Sequence, residues 1–193
     1  FGASGDLTHK KLLPAIFHLF QQDSLPKPFA VLGVSRTNYT DESFRENICR
    51  TLSSLEGSEL KNLNKLDLFL QMLHYQSVDP SDDSQYPILA NRLESLEKVK
   101  GIESNYLFYL ATPPNLYSTI PKSLANHGLN NQEKGWRRVI IEKPFGYDLK
   151  SALELNKSLK ENNLVKFEEF TDREMIHFSK YDCERSIPNL IDG

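Results

Sequence analysis

Apolar residues recur along this chain with two alternating spacings, and the alternation predicts its elements. Leu12, Leu13, Ile16, Phe17, Leu19 and Phe20 repeat at three and four residues, the spacing of one helix face. Leu25-Pro26-Lys27-Pro28 breaks that pattern, and the continuous run Phe29-Ala30-Val31-Leu32-Gly33-Val34 reads as a buried strand. Thr40 is placed to cap a helix running to about residue 55, with Asp41 and Glu42 complementing its dipole. Residues 57–65 are polar and predict a helix–helix junction; 66–73 read as helical at first, and Leu73-His74-Tyr75-Gln76 as a short strand. Ser81-Asp82-Asp83-Ser84 opens a helix carried by Ile88, Leu89, Leu93, Leu96 and Val99 and stopped at Gly101. Tyr106-Leu107-Phe108-Tyr109-Leu110 is apolar throughout, as an interior strand covered on both faces should be. A helix through Leu116, Ile120 and Leu124 follows, then a strand over 136–141 and a helix from Asp148 to about Lys160.

Strand and helix alternate throughout, with glycine or proline at the junctions. That order predicts an α/β fold, a doubly wound, Rossmann-like parallel sheet with helices on both faces. Its first strand is nearly absent: Phe1 alone precedes the loop Gly2-Ala3-Ser4-Gly5-Asp6-Leu7, which runs straight into the first helix. The two inner edges left unpaired are expected to invite another strand or self-association.

In such a sheet ligands sit beyond the carboxyl ends of the strands, and unusual residues stand at four of those ends. At the first, Gly2 and Gly5 describe a tight loop before a helix, where unpaired amides and the helix dipole favour a pyrophosphate. Thr8 occupies the third glycine position of the common fingerprint. At the second stands Arg36, where an acidic residue would select the non-phosphorylated coenzyme. A guanidinium there can fork onto a 2′-phosphate, so the expected cofactor is NADP. At the fourth, Pro113 and Pro114 form a stiff turn suited to packing against a flat ring. At the fifth, Lys143 projects a cation from before Pro144.

Composition narrows the class. The 193 residues are 39% hydrophobic and 25% charged, ordinary for a globular protein, with no run resembling a membrane span. Cys49 and Cys183 lie far apart and form no metal-ligand pattern, which predicts a reducing, cytoplasmic setting and no metal. A net charge of −3 argues against nucleic acid as partner. It is unevenly placed: residues 164–193 hold four Lys or Arg against seven Asp or Glu.

These motifs carry a resemblance. Gly2-Ala3-Ser4-Gly5-Asp6-Leu7, Lys10-Lys11-Leu12-Leu13-Pro14-Ala15, Gly33-Val34-Ser35-Arg36, Ala111-Thr112-Pro113-Pro114 and Glu142-Lys143-Pro144-Phe145-Gly146 resemble glucose-6-phosphate dehydrogenase, in that family's order and spacing. The resemblance covers residues 1–162, its coenzyme domain. It implies that Gly2, Ser4, Gly5, Asp6 and Leu7 line the pyrophosphate loop and that Arg36 binds the 2′-phosphate of NADP. It also implies that Ala111 and Pro113 lie on the nicotinamide side, and that Lys143 contacts both coenzyme and glucose 6-phosphate. The reaction implied is hydride transfer from glucose 6-phosphate to NADP, giving the lactone.

The family's next string, Arg-Ile-Asp-His-Tyr-Leu-Gly-Lys-Glu, which holds the sugar phosphate, does not appear, nor does the later histidine base. Residues 164–193, with Glu184-Arg185-Ser186-Ile187-Pro188-Asn189, are similar instead to a segment of type II DNA topoisomerase. The expected organisation is therefore a coenzyme domain over 1–162 and an unrelated, helical or irregular tail over 163–193, inactive by itself. The rival reading is a non-enzymatic chimera whose tail serves an interaction.

Overall fold

The computed structural model describes residues 1–54, 63–142, 149–162 and 165–166. The helices are α1 (Leu13–Gln21), α2 (Asp41–Ser54), α3 (Leu63–Leu70), α4 (Tyr86–Lys100), α5 (Thr119–Asn126) and α6 (Leu149–Glu161). The strands are β1 (Val31–Ser35), β2 (Leu73–Ser77), β3 (Tyr106–Leu110), β4 (Arg137–Ile141) and β5 (Val165–Lys166). Elements fall where the periodicities put them, and their ends follow the expected chemistry. The Ser43 amide donates to Thr40 Oγ1 at 3.2 Å as α2 begins, and Gly101 ends α4 in the left-handed region at φ +64°.

All strand pairs are parallel: β1 with β2, β3 with β4, and β4 with β5. Phe1 and Gly2 bridge the two halves. The Phe1 nitrogen donates to Tyr109 O at 2.8 Å and its carbonyl accepts from the Ala111 amide at 3.0 Å, while the Gly2 amide donates to Val34 O at 2.8 Å. The spatial order is thus β2, β1, the Phe1–Gly2 link, β3, β4, β5, and the winding direction reverses beside the glycine loop.

Two cores flank this frame. Leu13, Phe17, Phe44, Ile48, Leu52, Phe69, Leu73 and Tyr75 pack α1, α2 and α3 together with β2. Tyr86, Leu89, Phe108, Leu110, Ile120, Leu124, Val139, Ile141, Leu155 and Leu159 join α4, α5 and α6 to β3 and β4.

Three expectations change. The helix after the glycine loop is not uniformly α: helical Asp6 and Leu7 lead into a π-helical stretch, Thr8–Leu12, in which the Leu13 amide reaches Thr8 O. Pro14 supplies the reason, since it has no N–H and its ring crowds the carbonyl four residues back, which the wider turn relieves. Second, among the described residues β3 is not covered on both faces. Phe108 and Leu110 are buried, but Leu107 on the opposite face is 50% exposed. Third, the tail expected from residue 163, mainly helical or irregular, contains a short strand: Val165 and Lys166 pair with Arg138 and Val139. The junction over 55–62, Lys143 with the rest of 143–148, and the tail past 166 lie outside the described residues. No helix of the described residues is long and apolar enough to cross a membrane.

A charged staple ties α2 and α4 to the edge strand. Asp41 accepts from the Tyr75 amide at 2.8 Å and from Arg92 Nη2 at 2.6 Å, and lies 3.0 Å from His74 Nδ1. Arg45 donates to Leu73 O at 2.8 Å. Burial works against the Asp41 carboxylate, but the Tyr75 amide, His74 and Arg92 outweigh it and hold its pKa below the ordinary 3.8. Burial also pushes His74 below its ordinary 6.5, against the pull of Asp41 and with help from Arg45 and Lys100.

The sign follows from which state binds the proton first. As pH falls below 6.5 the unfolded His74 protonates while the folded one stays neutral, so stability is lost between 6.5 and its lowered folded pKa. The slope has a ceiling of about 1.4 kcal/mol per pH unit. Urea unfolding across pH 7 to 5 should show this loss, and His74→Gln should flatten it; an unchanged slope in the variant would rule His74 out as its source.

Candidate coenzyme-binding site

The carboxyl ends of β1 and β3 flank the loop over residues 2–5. Gly2 sits at φ +83°, and a Cβ there would lie 2.0 Å from the Ala111 carbonyl oxygen, so the loop can lean on the end of β3 only without a side chain. Gly5 donates its amide back to Gly2 O at 3.0 Å, and a Cβ on it would meet that same oxygen at 3.2 Å. The Ala3 amide shares Val34 O with Gly2. Thr8, buried where the common fingerprint has its third glycine, donates Oγ1 to Gly2 O at 3.0 Å. The His9 ring nitrogen Nε2 lies 3.1 Å from Ala3 O.

Helical geometry begins at Asp6, so the first amides of that helix have no acceptor within it. A helix N-terminus of this kind is suited to an anion. The Asp6 carboxylate would oppose an anion there, but Lys10 pairs with it at 2.7 Å. The hydrogen bond and charge of Lys10 keep Asp6 below its ordinary pKa. Ser4 and Leu7 are exposed on the same loop.

Ser35 closes β1 and links outward: its Oγ donates to Ser4 Oγ at 2.9 Å and stands 2.6 Å from the Tyr75 hydroxyl. Arg36 follows with its side chain exposed, beyond the strand end and one strand over from the glycine loop. Its charge reaches Asp79, whose pKa is lowered first by the Ser81 hydroxyl and amide and further by Arg36. On the other side of the loop, Ala111 is bonded to Phe1 and Pro113 is exposed at the start of the short 3-10 turn Pro114–Leu116. Between them Thr112 Oγ1 is buried with no hydrogen-bond partner among the described residues. An orphaned hydroxyl at a ligand-facing strand end fits a polar coenzyme group there.

The structure therefore brings Gly2, Ser4, Gly5, Asp6 and Leu7 together with Arg36 on one side and Ala111 and Pro113 on the other. Lys143, expected to contact both ligands, lies outside the described residues. Sequence reasoning passed over three contributors. Thr8 reads there as a departure from the glycine fingerprint, yet it is the hydroxyl that fastens the loop. Tyr75 lies forty residues from Ser35 with no local signal. The Tyr109 hydroxyl donates to Glu142 Oε1, joining the ends of β3 and β4 immediately before Lys143.

Comparison with known proteins identifies the family of this fold. The family model described as "Glucose-6-phosphate dehydrogenase, NAD binding domain" matches residues 1–176, past the boundary expected at 162. Glucose-6-phosphate 1-dehydrogenase of Aggregatibacter actinomycetemcomitans is 41% identical over 180 residues, 91% of this chain and 36% of that protein. The Chlamydia pneumoniae enzyme is 39% identical over 195 residues, 99% of this chain and again 36% of the relative. A solved glucose-6-phosphate dehydrogenase in complex with its substrate glucose-6-phosphate superposes with a TM-score of 0.75 at 34% identity, covering 87% of this chain and 35% of that one. This chain spans about a third of the length of the relatives it matches. With its glycine loop, its reversing parallel sheet and these matches over nearly its whole length, the chain belongs to the glucose-6-phosphate dehydrogenase family, within that family's nucleotide-binding domain.

Proposed function

We propose that this chain binds NADP and serves as the coenzyme-binding part of a glucose-6-phosphate 1-dehydrogenase, which passes hydride from the sugar's anomeric carbon to the coenzyme. The observation that carries the NADP reading is the exposed Arg36 at the end of β1, hydrogen-bonded neighbours away from an anion-binding loop. An acidic side chain there would hold the free ribose hydroxyls; a guanidinium suits a 2′-phosphate. In this reading the amides of the first helical turn take the pyrophosphate. The nicotinamide lies toward Ala111, Thr112 and Pro113, with Thr112 Oγ1 as a partner in waiting. When bound, the coenzyme supplies the hydride acceptor; the protein's own residues hold and orient it. Lys143 is assigned to contacts with coenzyme and sugar phosphate on the strength of its motif, Glu142-Lys143-Pro144-Phe145-Gly146.

Calorimetric titration of Arg36→Ala tests the assignment. Losing a charge-assisted contact should weaken NADP by about 1.5–3 kcal/mol and leave NAD nearly unchanged. Equal losses for the two coenzymes would sink it.

A further inference from the structure

Tyr75 is 4% exposed, yet its hydroxyl is the hub of a polar chain inside an otherwise apolar core. It lies 2.6 Å from Ser35 Oγ and donates to Thr37 O at 2.7 Å, with Ser35 O at 3.3 Å. Ser35 Oγ in turn meets Ser4 Oγ at 2.9 Å. The Tyr75 proton can serve Thr37 O or Ser35, and the Ser35 proton Ser4 or Tyr75, so each of these hydroxyls has a partner. The residues on either side of Arg36 are therefore both fastened to one buried oxygen, while Arg36 itself points to solvent.

Tyr75 is in turn immobilised. Its ring packs at 5.0 Å from Phe44 and 5.4 Å from Tyr39, and its amide donates to Asp41 at 2.8 Å. Burial raises the phenol's pKa, so it stays a neutral donor at physiological pH. The backbone of the glycine loop is held separately, by Gly2 and Ala3 on Val34 O and Thr8 on Gly2 O, and Tyr75 reaches the loop only through Ser35 and the exposed Ser4 side chain.

We propose that Tyr75 is a positioning residue for coenzyme selectivity, its hydroxyl fixing the turn from which Arg36 meets the 2′-phosphate; this rests on the NADP reading above. A guanidinium on a loose turn must be ordered at each binding event, whereas a preordered one is not, and only the phosphorylated coenzyme gains from that. Tyr75→Phe removes the hydroxyl and keeps the ring in its packing.

The test titrates NADP and NAD into the full chain and three variants: Tyr75→Phe, Arg36→Ala and the double variant, each with a thermal melt. We expect Tyr75→Phe to cut the NADP-over-NAD preference about tenfold, the worth of one hydrogen bond, with NAD affinity held within about twofold. In the Arg36→Ala background the second change should leave the preference where it is. A merely structural hydroxyl would lower both affinities alike, or act equally in both backgrounds, and either result overturns the proposal. So does a Tyr75→Phe chain that no longer folds, which would make the hydroxyl part of the core rather than of selectivity. If Arg36→Ala itself leaves the preference unchanged, the NADP reading fails first and this proposal with it.

Discussion

Gly2→Ala is expected to abolish coenzyme binding and to destabilise the fold by about 4 kcal/mol or more, among the largest effects of any single methyl in the chain. Two costs combine. The position is at φ +83°, where a residue with a Cβ loses about 1–2 kcal/mol. The added carbon would also stand 2.0 Å from the Ala111 carbonyl oxygen, and backbone at a strand end cannot step aside as a side chain can. Moving Ala111 breaks its bond to Phe1 and shifts the wall on which the nicotinamide would rest. Gly101→Ala is the matched control: φ is +64° there and nothing lies within 4 Å of the new carbon. It should cost only the left-handed conformation, about 1 kcal/mol. Urea unfolding of both variants, with NADP titration, separates strain from clash. Similar small losses at the two sites would show that the loop does not lean on Ala111 as described.

The second large effect is catalytic. The 193-residue chain, purified free of host dehydrogenase, is expected to bind NADP without reducing it when glucose 6-phosphate is added. Removing hydride from a sugar carbon bearing a hydroxyl needs a base for the proton, and general base catalysis contributes typically 10²–10⁴-fold. Holding the sugar phosphate in place contributes about 7–11 kcal/mol more of the barrier. The described histidines are otherwise engaged. His9 is on Ala3 O, His18 is 2.9 Å from Gln22, His74 is buried against Asp41, and His127 pairs with Asp83 while stacking on Tyr86. Lys143 would offer an ammonium, which at neutral pH holds its proton. Absorbance of the reduced coenzyme is the readout; a steady rate that scales with chain concentration would show that another group here serves as base.

The elements were legible because each depends on local pattern. The spacing of Leu12, Leu13, Ile16 and Phe17 specifies a helix whatever surrounds it, and glycines at 101 and 128 stop helices by their own freedom of φ. The strand-end residues were legible for a related reason: in a wound parallel sheet, sequence position after a strand is position along its carboxyl end, so Arg36 and Pro113 could be located by counting, while Ala111 came with the family resemblance. What escaped is what depends on partners far along the chain. Nothing near Asp41 announces that it will hold His74 and Arg92 at once, and nothing near Tyr75 announces Ser35. Leu107 misled because a run of apolar residues cannot say whether both of its faces will be covered; in the described residues one is half open.

The wide turn over Thr8–Leu12 carries a further consequence, one of phase. Relative to a regular α-helix, that turn holds an extra residue, and each residue is worth about 100° of rotation about the axis. With Leu13 and Phe17 locked into the core, everything before the turn is rotated from where an unbroken helix would aim it. Thr8 finds Gly2 O, and His9 finds Ala3 O, only at that offset. Shortening the chain by one residue between 8 and 12 would therefore turn the loop away from its present partners. Along this stretch, chain length together with Pro14 sets the bearing of the glycine loop, so a relative with one residue fewer there would need different fastenings for that loop.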